Sequence, residues 1–538
     1  MKVVISLGVL LCGLPGIVHA AECTRSCQTC PARSAQGHYF VDVQADCGAD
    51  LADNSKDDTL CVQDALNCAE SVGGTAYFPA GVYNVQDSSD SGDDALVIDG
   101  SMTMLGEGDG SLIVLEGAGN SDDLLLVDIE TNQSVSIKQL TFDGRSSFRG
   151  TAPETNLVDA DLSGSTSGPA TLTFNDCAFL DVGWSALYLS GDDSAGADRV
   201  LVSNSRFIGG QPGAVGYDPQ YIQANMASSL VVTNNVFDFG AAPDIGRAGI
   251  TITAFGGETR KNSAIIKGNL FRNLGRDEAN STLGVVDFYA IVDRISVVDN
   301  IFEDSHAAPI RGKTDARSVV ITGNHIYNSR KQGIFLTPSV QSQNGGQVSI
   351  LGNIIRDVDG QAILIQGRSS ASYTNQLSIV NNIIDGVDNH PVYQGNGIEV
   401  QYVRNFQISS NSIHDIANAG IRISRSTNIG MITSNLIRNT GQAGISVHSS
   451  VSGMRLSVLG NSMASVTKYG IYLNDPHICH VQDNMVDGVT ASGGTQTAFY
   501  VRNCAASTIN NNVIGASVAT NVNRDSGGGH KYSDNSWQ

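Results

Sequence analysis

The sequence predicts an all-β chain wound as a right-handed parallel β-helix solenoid with an N-terminal capping helix. Two recurring phrases, and the short Gly-punctuated segments that carry them, predict this class. From residue 175 onward one phrase returns as a small or polar residue, Asn, any residue, then a large apolar one. Its Asn positions are Asn235, Asn269, Asn300, Asn324, Asn353, Asn382, Asn411, Asn435, Asn461, Asn484, Asn512 and Asn535, at intervals of 23 to 34 residues. That is a solenoid period. Leucine-rich spacing is absent, and the segments are too short and β-branched for helical repeats. Three short strands per coil fit, giving roughly a dozen coils. The Asn residues then stack at one turn, each amide bonding to the next coil where the backbone is left unpaired.

The second phrase lies midway between the first: Gly249-Ile250-Thr251-Ile252, Gly333-Ile334-Phe335-Leu336, Gly397-Ile398-Glu399-Val400, Gly420-Ile421-Arg422-Ile423, Gly444-Ile445-Ser446-Val447 and Gly470-Ile471-Tyr472-Leu473. Alternation marks a strand with one buried face. The Gly suits a turn that needs unusual φ/ψ.

Residues 1–20 have the form of a secretory signal: Lys2, an apolar run from Val3 to Leu14, and Val18-His19-Ala20 as cleavage site. A Cys-rich leader (21–37), a cap with the first coils (38–130) and the β-helix (131–538) follow. The apolar run is too short for a membrane span and no later one is longer. A secreted or periplasmic chain is therefore expected. In an oxidising compartment the nine cysteines after residue 20 read as disulfides, six of them before residue 70. Cys479 and Cys504 are about one period apart and should be close enough to bridge. Cys23, Cys27 and Cys30 have the spacing of an iron–sulfur motif, but no α/β barrel pattern follows them. A formal charge of −21 disfavours nucleic acid and demands a local basic patch for any anionic ligand.

Residues 38–90 resemble the opening of the pectate-lyase-like β-helix superfamily. Asp57-Asp58-Thr59 stands for its acidic turn, Val62-Gln63-Asp64-Ala65-Leu66 for its capping helix, and Gly73-Gly74-Thr75-Ala76-Tyr77-Phe78-Pro79-Ala80-Gly81-Val82-Tyr83 for its first strand. A helix over Asp58 to Ser71 would plug the open end of the solenoid. The superfamily holds lyases, hydrolases, epimerases and non-catalytic spikes, so the resemblance implies fold more than activity.

If the Ile residues of the Gly-Ile strand point inward, the residues between and after them form two outward rows. Two neighbourhoods on these rows combine charge with aromatic or imidazole groups. Asp287 and Tyr289 lie on one coil with Arg311 and Lys313 on the next, Phe335 following and His306 at the rim. Glu399, Arg422, His448 and Tyr472 lie on consecutive coils. Removing the C5 proton of a uronic acid requires its carboxylate neutralised and a base nearby. Arg311 would neutralise, with Lys313, Tyr289 or His306 as base or acid; Arg422 with His448 and Tyr472 is the alternative set. Both neighbourhoods also fit ordinary cross-coil ion pairs.

These features predict an enzyme acting on an acidic polysaccharide as lyase or C5-epimerase. The alternatives are a non-catalytic carbohydrate-binding or cell-surface solenoid, and a glycoside hydrolase. Hydrolysis needs paired carboxylates, and the outward rows as read show no adjacent pair. Asp475-Pro476-His477 is similar to a triplet of alginate C5-epimerases, with extra residues after Tyr469-Gly470; a strand ending in a Pro turn explains it too. The sequence specifies no cofactor, and Ca²⁺ is the one candidate. Asp87/Asp90/Asp93/Asp94 and Asp192/Asp193/Asp198 offer oxygen ligands for Ca²⁺ but suit solvated loops better.

Overall fold

The computed structural model describes residues 33–35, 38–49, 57–86, 94–116, 123–130, 132–145, 156–162, 169–191, 198–210, 220–225, 229–240, 247–253, 263–275, 284–288, 293–313, 316–337, 346–367, 374–392, 394–426, 428–448, 453–490, 497–502, 504, 506–515, 520–524, 530–533 and 536–537. For 33–35, 313 and the segments from 520 onward only the backbone is described. The expected signal, leader cysteines, Asn535 and most of both acidic runs lie outside these residues.

Each coil contributes one strand to each of three long sheets, and successive coils pair in parallel. Sheet I holds segments such as Ser263–Lys267 and Arg294–Val298, which pair residue for residue. Sheet II holds the strands after each Asn, such as Leu270–Arg272 against Ile301–Ser305. Sheet III holds the Gly-Ile strands and has sixteen members among the described residues, more than the dozen coils counted from the phrase. The earlier coils escaped the count because their turns lack the Asn. The fold is a right-handed parallel β-helix.

At the Asn turn the repeat has a direct cause. Asn324 donates its backbone N–H and its side-chain amide to Asn353 Oδ1, both at 2.9 Å. Its amide also donates to Val297 O on the preceding coil at 2.9 Å. The same pattern links Asn235 through Asn512, all buried to 1% exposure or less. The residue before each Asn is left-handed, with φ of 56° at Asn234, 53° at Asp299 and 62° at Gly352. Hence the small or polar residue of the phrase: Gly, Asn and Asp adopt that conformation at least cost.

The apolar residue two places after each Asn, or after its counterpart on the early coils, forms a second ladder. Phe142, Phe179, Phe207, Phe237, Phe271 and Phe302 stack in the core at 4.6 to 5.4 Å between ring centres. Ile326, Ile355, Ile384, Ile413 and Ile437 continue it.

The glycines of the Gly-Ile phrase correct the expectation made for them, because none has a positive φ. They are small for lack of space. A Cβ on Gly249 would lie 3.0 Å from the Phe271 ring, one on Gly420 2.5 Å from Ile437, and one on Gly470 2.6 Å from Val486. The Gly-Ile strand passes directly over the core ladder, and any side chain at these glycines would press on it.

A helix spans Thr59–Ser71 and buries Cys61, Val62, Ala65, Leu66, Cys68 and Ala69 against the first coils. Those apolar positions recur at helical spacing on one face. Cys479 and Cys504 form a disulfide with Cα atoms 6.5 Å apart, while Cys177 is a buried free thiol. Among the described residues no helix is long and apolar enough to cross a membrane.

Candidate functional site

Sheet III puts the predicted outward rows in register. Asp287 pairs with Arg311 and Arg311 with Phe335. Further along, Glu399 pairs with Arg422, Arg422 with Ser446, and Ser446 with Tyr472. His448 lies on the second row, beside Ser446 on its own strand and opposite Ser424 and Asn474.

The first neighbourhood is mostly closed. Asp287 is 1% exposed, accepts the Gly284 N–H at 2.7 Å, and pairs with Arg311 at 3.7 Å. Arg311 also lies over the Phe335 ring, 5.9 Å from its centre. His306 is 6% exposed, so it is a buried residue and not the rim group expected. The chain turns back at this point, and the His306 N–H donates to Leu274 O of the preceding coil. Tyr289 lies outside the described residues, as does the Lys313 side chain.

The second neighbourhood opens into a pocket of about 300 Å³. Arg422, Ser446, His448 and Tyr472 line it on the strand side. Asn418, Gln442, Lys468 and Tyr469 line it from the turn that enters the sheet, with Ala419 and Ala443 between. Glu399 lies beneath this surface, 3% exposed. Its carboxylate accepts amide hydrogen bonds from Gln361, Asn396 and Gln401 at 2.7 to 2.9 Å. Three amide donors hold its carboxylate in place, 3.9 Å from Arg422. The Arg422 Nε is buried without a hydrogen-bond partner. Its side chain is 29% exposed, so the guanidinium can still receive an anion.

Burial, and then the Arg422 charge, hold the His448 imidazole below its ordinary pKa of 6.5. It is therefore neutral at pH 7 and competent to take a proton. Ser446 Oγ lies 3.0 Å from His448 Nε2 and orients the ring. The Tyr472 ring lies 4.9 Å from the imidazole and stacks on Tyr500 at 5.0 Å. Burial, with Tyr500 and Tyr469 adding to it, raises the Tyr472 phenol above its ordinary value. It keeps its proton and is suited to act as an acid.

Asp475 closes the strand in a left-handed turn at φ 66°, equivalent to Arg425 at 56°. His477 is exposed beyond that turn and lines no part of the pocket. The turn accounts for the Asp475-Pro476-His477 triplet.

The expectation that this face has no adjacent carboxylates is overturned. Asp128 pairs with Asp161 on neighbouring coils, beside Asp159. Burial holds Asp123 up to about 6 and Asp159 up to about 7. These coils carry no Gly-Ile phrase, which is why they were missed. In the sequence Ser446 falls on the outward row and Tyr469 beside Gly470, but neither is assigned to the site there, and Lys468, Ala419 and Ala443 are not singled out. Asp94 and Asp198 are the only members of the acidic runs described, and Asp198 accepts the Ala170 N–H. Among the described residues no group of three His, Cys, Asp or Glu could hold a metal ion.

Comparison with known proteins finds two partial family matches. Residues 220–394 match the family described as right handed beta helix region, and residues 376–536 match periplasmic copper-binding protein (NosD). Mannuronan C5-epimerase AlgE3 of Azotobacter vinelandii is 28% identical over 199 residues, 36% of this chain and 9% of that protein. The chain thus spans less than a tenth of that relative. Among solved structures, the Streptococcus pneumoniae surface protein and adhesin PfbA aligns at 16% identity over 78% of this chain and 100% of its own, with a TM-score of 0.44. The AlgE4 A-module of Azotobacter vinelandii aligns at 16% identity over 84% and 97%, with a TM-score of 0.31. Tailspike protein 3 of bacteriophage CBA120 aligns at 12% identity over 92% and 61%, with a TM-score of 0.41.

Proposed function

We propose that this chain is a secreted or periplasmic enzyme that abstracts the C5 proton of a uronate residue in an acidic polysaccharide, as a lyase or C5-epimerase. One observation carries the proposal: a single pocket brings together Arg422, His448 and Tyr472 on consecutive coils of sheet III. Arg422 meets the sugar carboxylate and stabilises the negative charge that builds on it as the proton leaves. Neutral His448 takes that proton from C5. Tyr472 supplies one. In elimination its proton goes to the O4 leaving oxygen as the C4–O4 bond breaks and a C4=C5 double bond forms. In epimerisation it goes to the opposite face of C5.

This places the reaction in the alternative set of residues, with Glu399 as the buried anchor of Arg422. Arg311, Lys313 and Phe335 then belong to a flanking part of the same face that binds the polymer. Asp287, fixed beneath Arg311, holds that cation in place. The family match to a periplasmic protein and the similarity to a mannuronan C5-epimerase support the compartment and the substrate class.

The test is incubation with a panel of uronate polymers. New ultraviolet absorbance from an unsaturated product marks a lyase, and changed sugar composition by NMR without shortening marks an epimerase. Shortening without new absorbance would mark a hydrolase, and directs attention to the Asp128/Asp159/Asp161 group. Binding with no chemical change would leave a carbohydrate-binding solenoid.

A further inference from the structure

The pocket has definite ends along the solenoid axis, and the residues just before the glycines of the Gly-Ile phrase make them. On four consecutive coils this position is Asn396, Ala419, Ala443 and Tyr469. The Gly397 N–H donates to Ala419 O, the Gly420 N–H donates to Ala443 O, and Ala443 pairs with Tyr469. Asn396 is tied down by its bond to Glu399 and by accepting the Ala419 N–H at 3.1 Å. Tyr469 packs its ring 5.0 Å from Tyr472 and 5.7 Å from Tyr500. Two small side chains thus lie between two large, fixed ones, and the notch between them is the pocket.

The side chains at its two ends stand three coil steps apart, about 14 Å between backbones at the ~4.8 Å spacing of paired strands, and their own bulk narrows the opening between them. A volume of about 300 Å³ stands at the bottom of the ~300–1,000 Å³ range of small-molecule sites. Both quantities suit one pyranose ring. The outer wall is an amide chain. Gln442 Nε2 donates to Asn418 Oδ1 at 2.9 Å, and Asn418 Nδ2 donates to Asn389 Oδ1 at 2.6 Å. Such groups match sugar hydroxyls. Lys468 bounds the pocket beside Tyr469, its ammonium 5.2 Å from that ring's centre and two coils from Arg422. A cation therefore lies toward each end of the notch.

We infer that Ala419, Ala443 and Tyr469 are specificity-determining residues, which restrict the pocket to a single uronate ring held between Arg422 and Lys468. This rests on the proposed function above. Ala443→Leu would fill the notch, and Tyr469→Ala would lengthen it by one coil. The experiment is calorimetric titration of the full chain with a monouronate, a diuronate and the neutral hexose, with thermal unfolding of each variant alongside.

Wild type is expected to bind the monouronate more tightly than the hexose. Ala443→Leu should weaken binding at least ten-fold, and Lys468→Ala several-fold for the uronate alone. Tyr469→Ala should raise the ratio of diuronate to monouronate affinity. A folded Ala443→Leu with wild-type affinity overturns the inference. If that variant does not fold, an unchanged ratio in Tyr469→Ala overturns it instead. Notch-dependent binding of the hexose with no preference for the uronate removes the uronate assignment and the proposed function while leaving the notch. Failure of wild type to bind any of the three sugars removes both.

Discussion

At the level of single residues, the pocket makes its chemistry depend on two displaced protonation equilibria. Arg422→Ala should lower turnover of a uronate polymer by roughly 10²–10³-fold, the usual cost of removing one group that stabilises developing charge. Steady-state kinetics on the folded variant would show it, and undiminished turnover would move the site elsewhere on the face. Because Arg422 helps hold the His448 pKa below 6.5, an NMR titration of the imidazole should show an upward shift in Arg422→Gln. The rising limb of the wild-type activity profile should accordingly lie below pH 6.5, since the base must be neutral to act. Most of these residues were legible in the sequence, because an outward row follows once the Ile positions are taken as inward. Arg422, His448 and Tyr472 were found that way. Their relative importance was not, since Asp287–Arg311 and Glu399–Arg422 look alike in the sequence. Among the described residues they differ in space through Ala419 and Ala443, whose small size opens a pocket beside Glu399–Arg422.

At the level of strands and turns, two ladders carry the repeat and each gives a stability prediction. Asn353→Ala removes the acceptor of the Asn324 N–H and the donor to Ile321 O. Leaving buried backbone groups unpaired costs roughly 1–3 kcal/mol each, so a loss of about 2–6 kcal/mol is expected in denaturant unfolding. A loss near zero would mean that the Asn stack is incidental. Gly420→Ala places a methyl against Ile437 and should cost about 1–3 kcal/mol through overpacking. The Asn ladder was legible because one side-chain type answers one geometric need on every coil. The reason for the glycines was not, because contact with a ladder half a coil away in sequence leaves the same mark as a backbone preference. The earliest coils were hidden for a related reason. Their turns use Cys177 and Ser205 where later ones use Asn, so period alone had to reveal them.

Over the whole molecule, sheet III changes character along its length, from Asp128, Asp159 and Asp161 near the cap to Arg422, His448 and Arg502 toward the other end. On a chain of net charge −21 this charge gradient would favour a polyanion over the later coils. The acidic end has its own consequence. Asp123 and Asp159 hold protons up to about 6 and about 7, above the ordinary 3.8. The folded state therefore binds more protons than the unfolded one between those limits, and stability falls as pH rises through that window. Unfolding free energy should be greater at pH 5 than at pH 8, and Asp159→Asn should flatten the difference. The central claim is that an acidic sugar binds over Arg422, His448 and Tyr472, and its most direct test is a crystal structure of the His448→Ala chain with a uronate oligosaccharide. The expected result is a uronate ring in the notch between Asn396 and Tyr469, its carboxylate on the Arg422 guanidinium. A chain bound instead over Arg311 and Phe335, or on sheet I, with the notch empty, would contradict it.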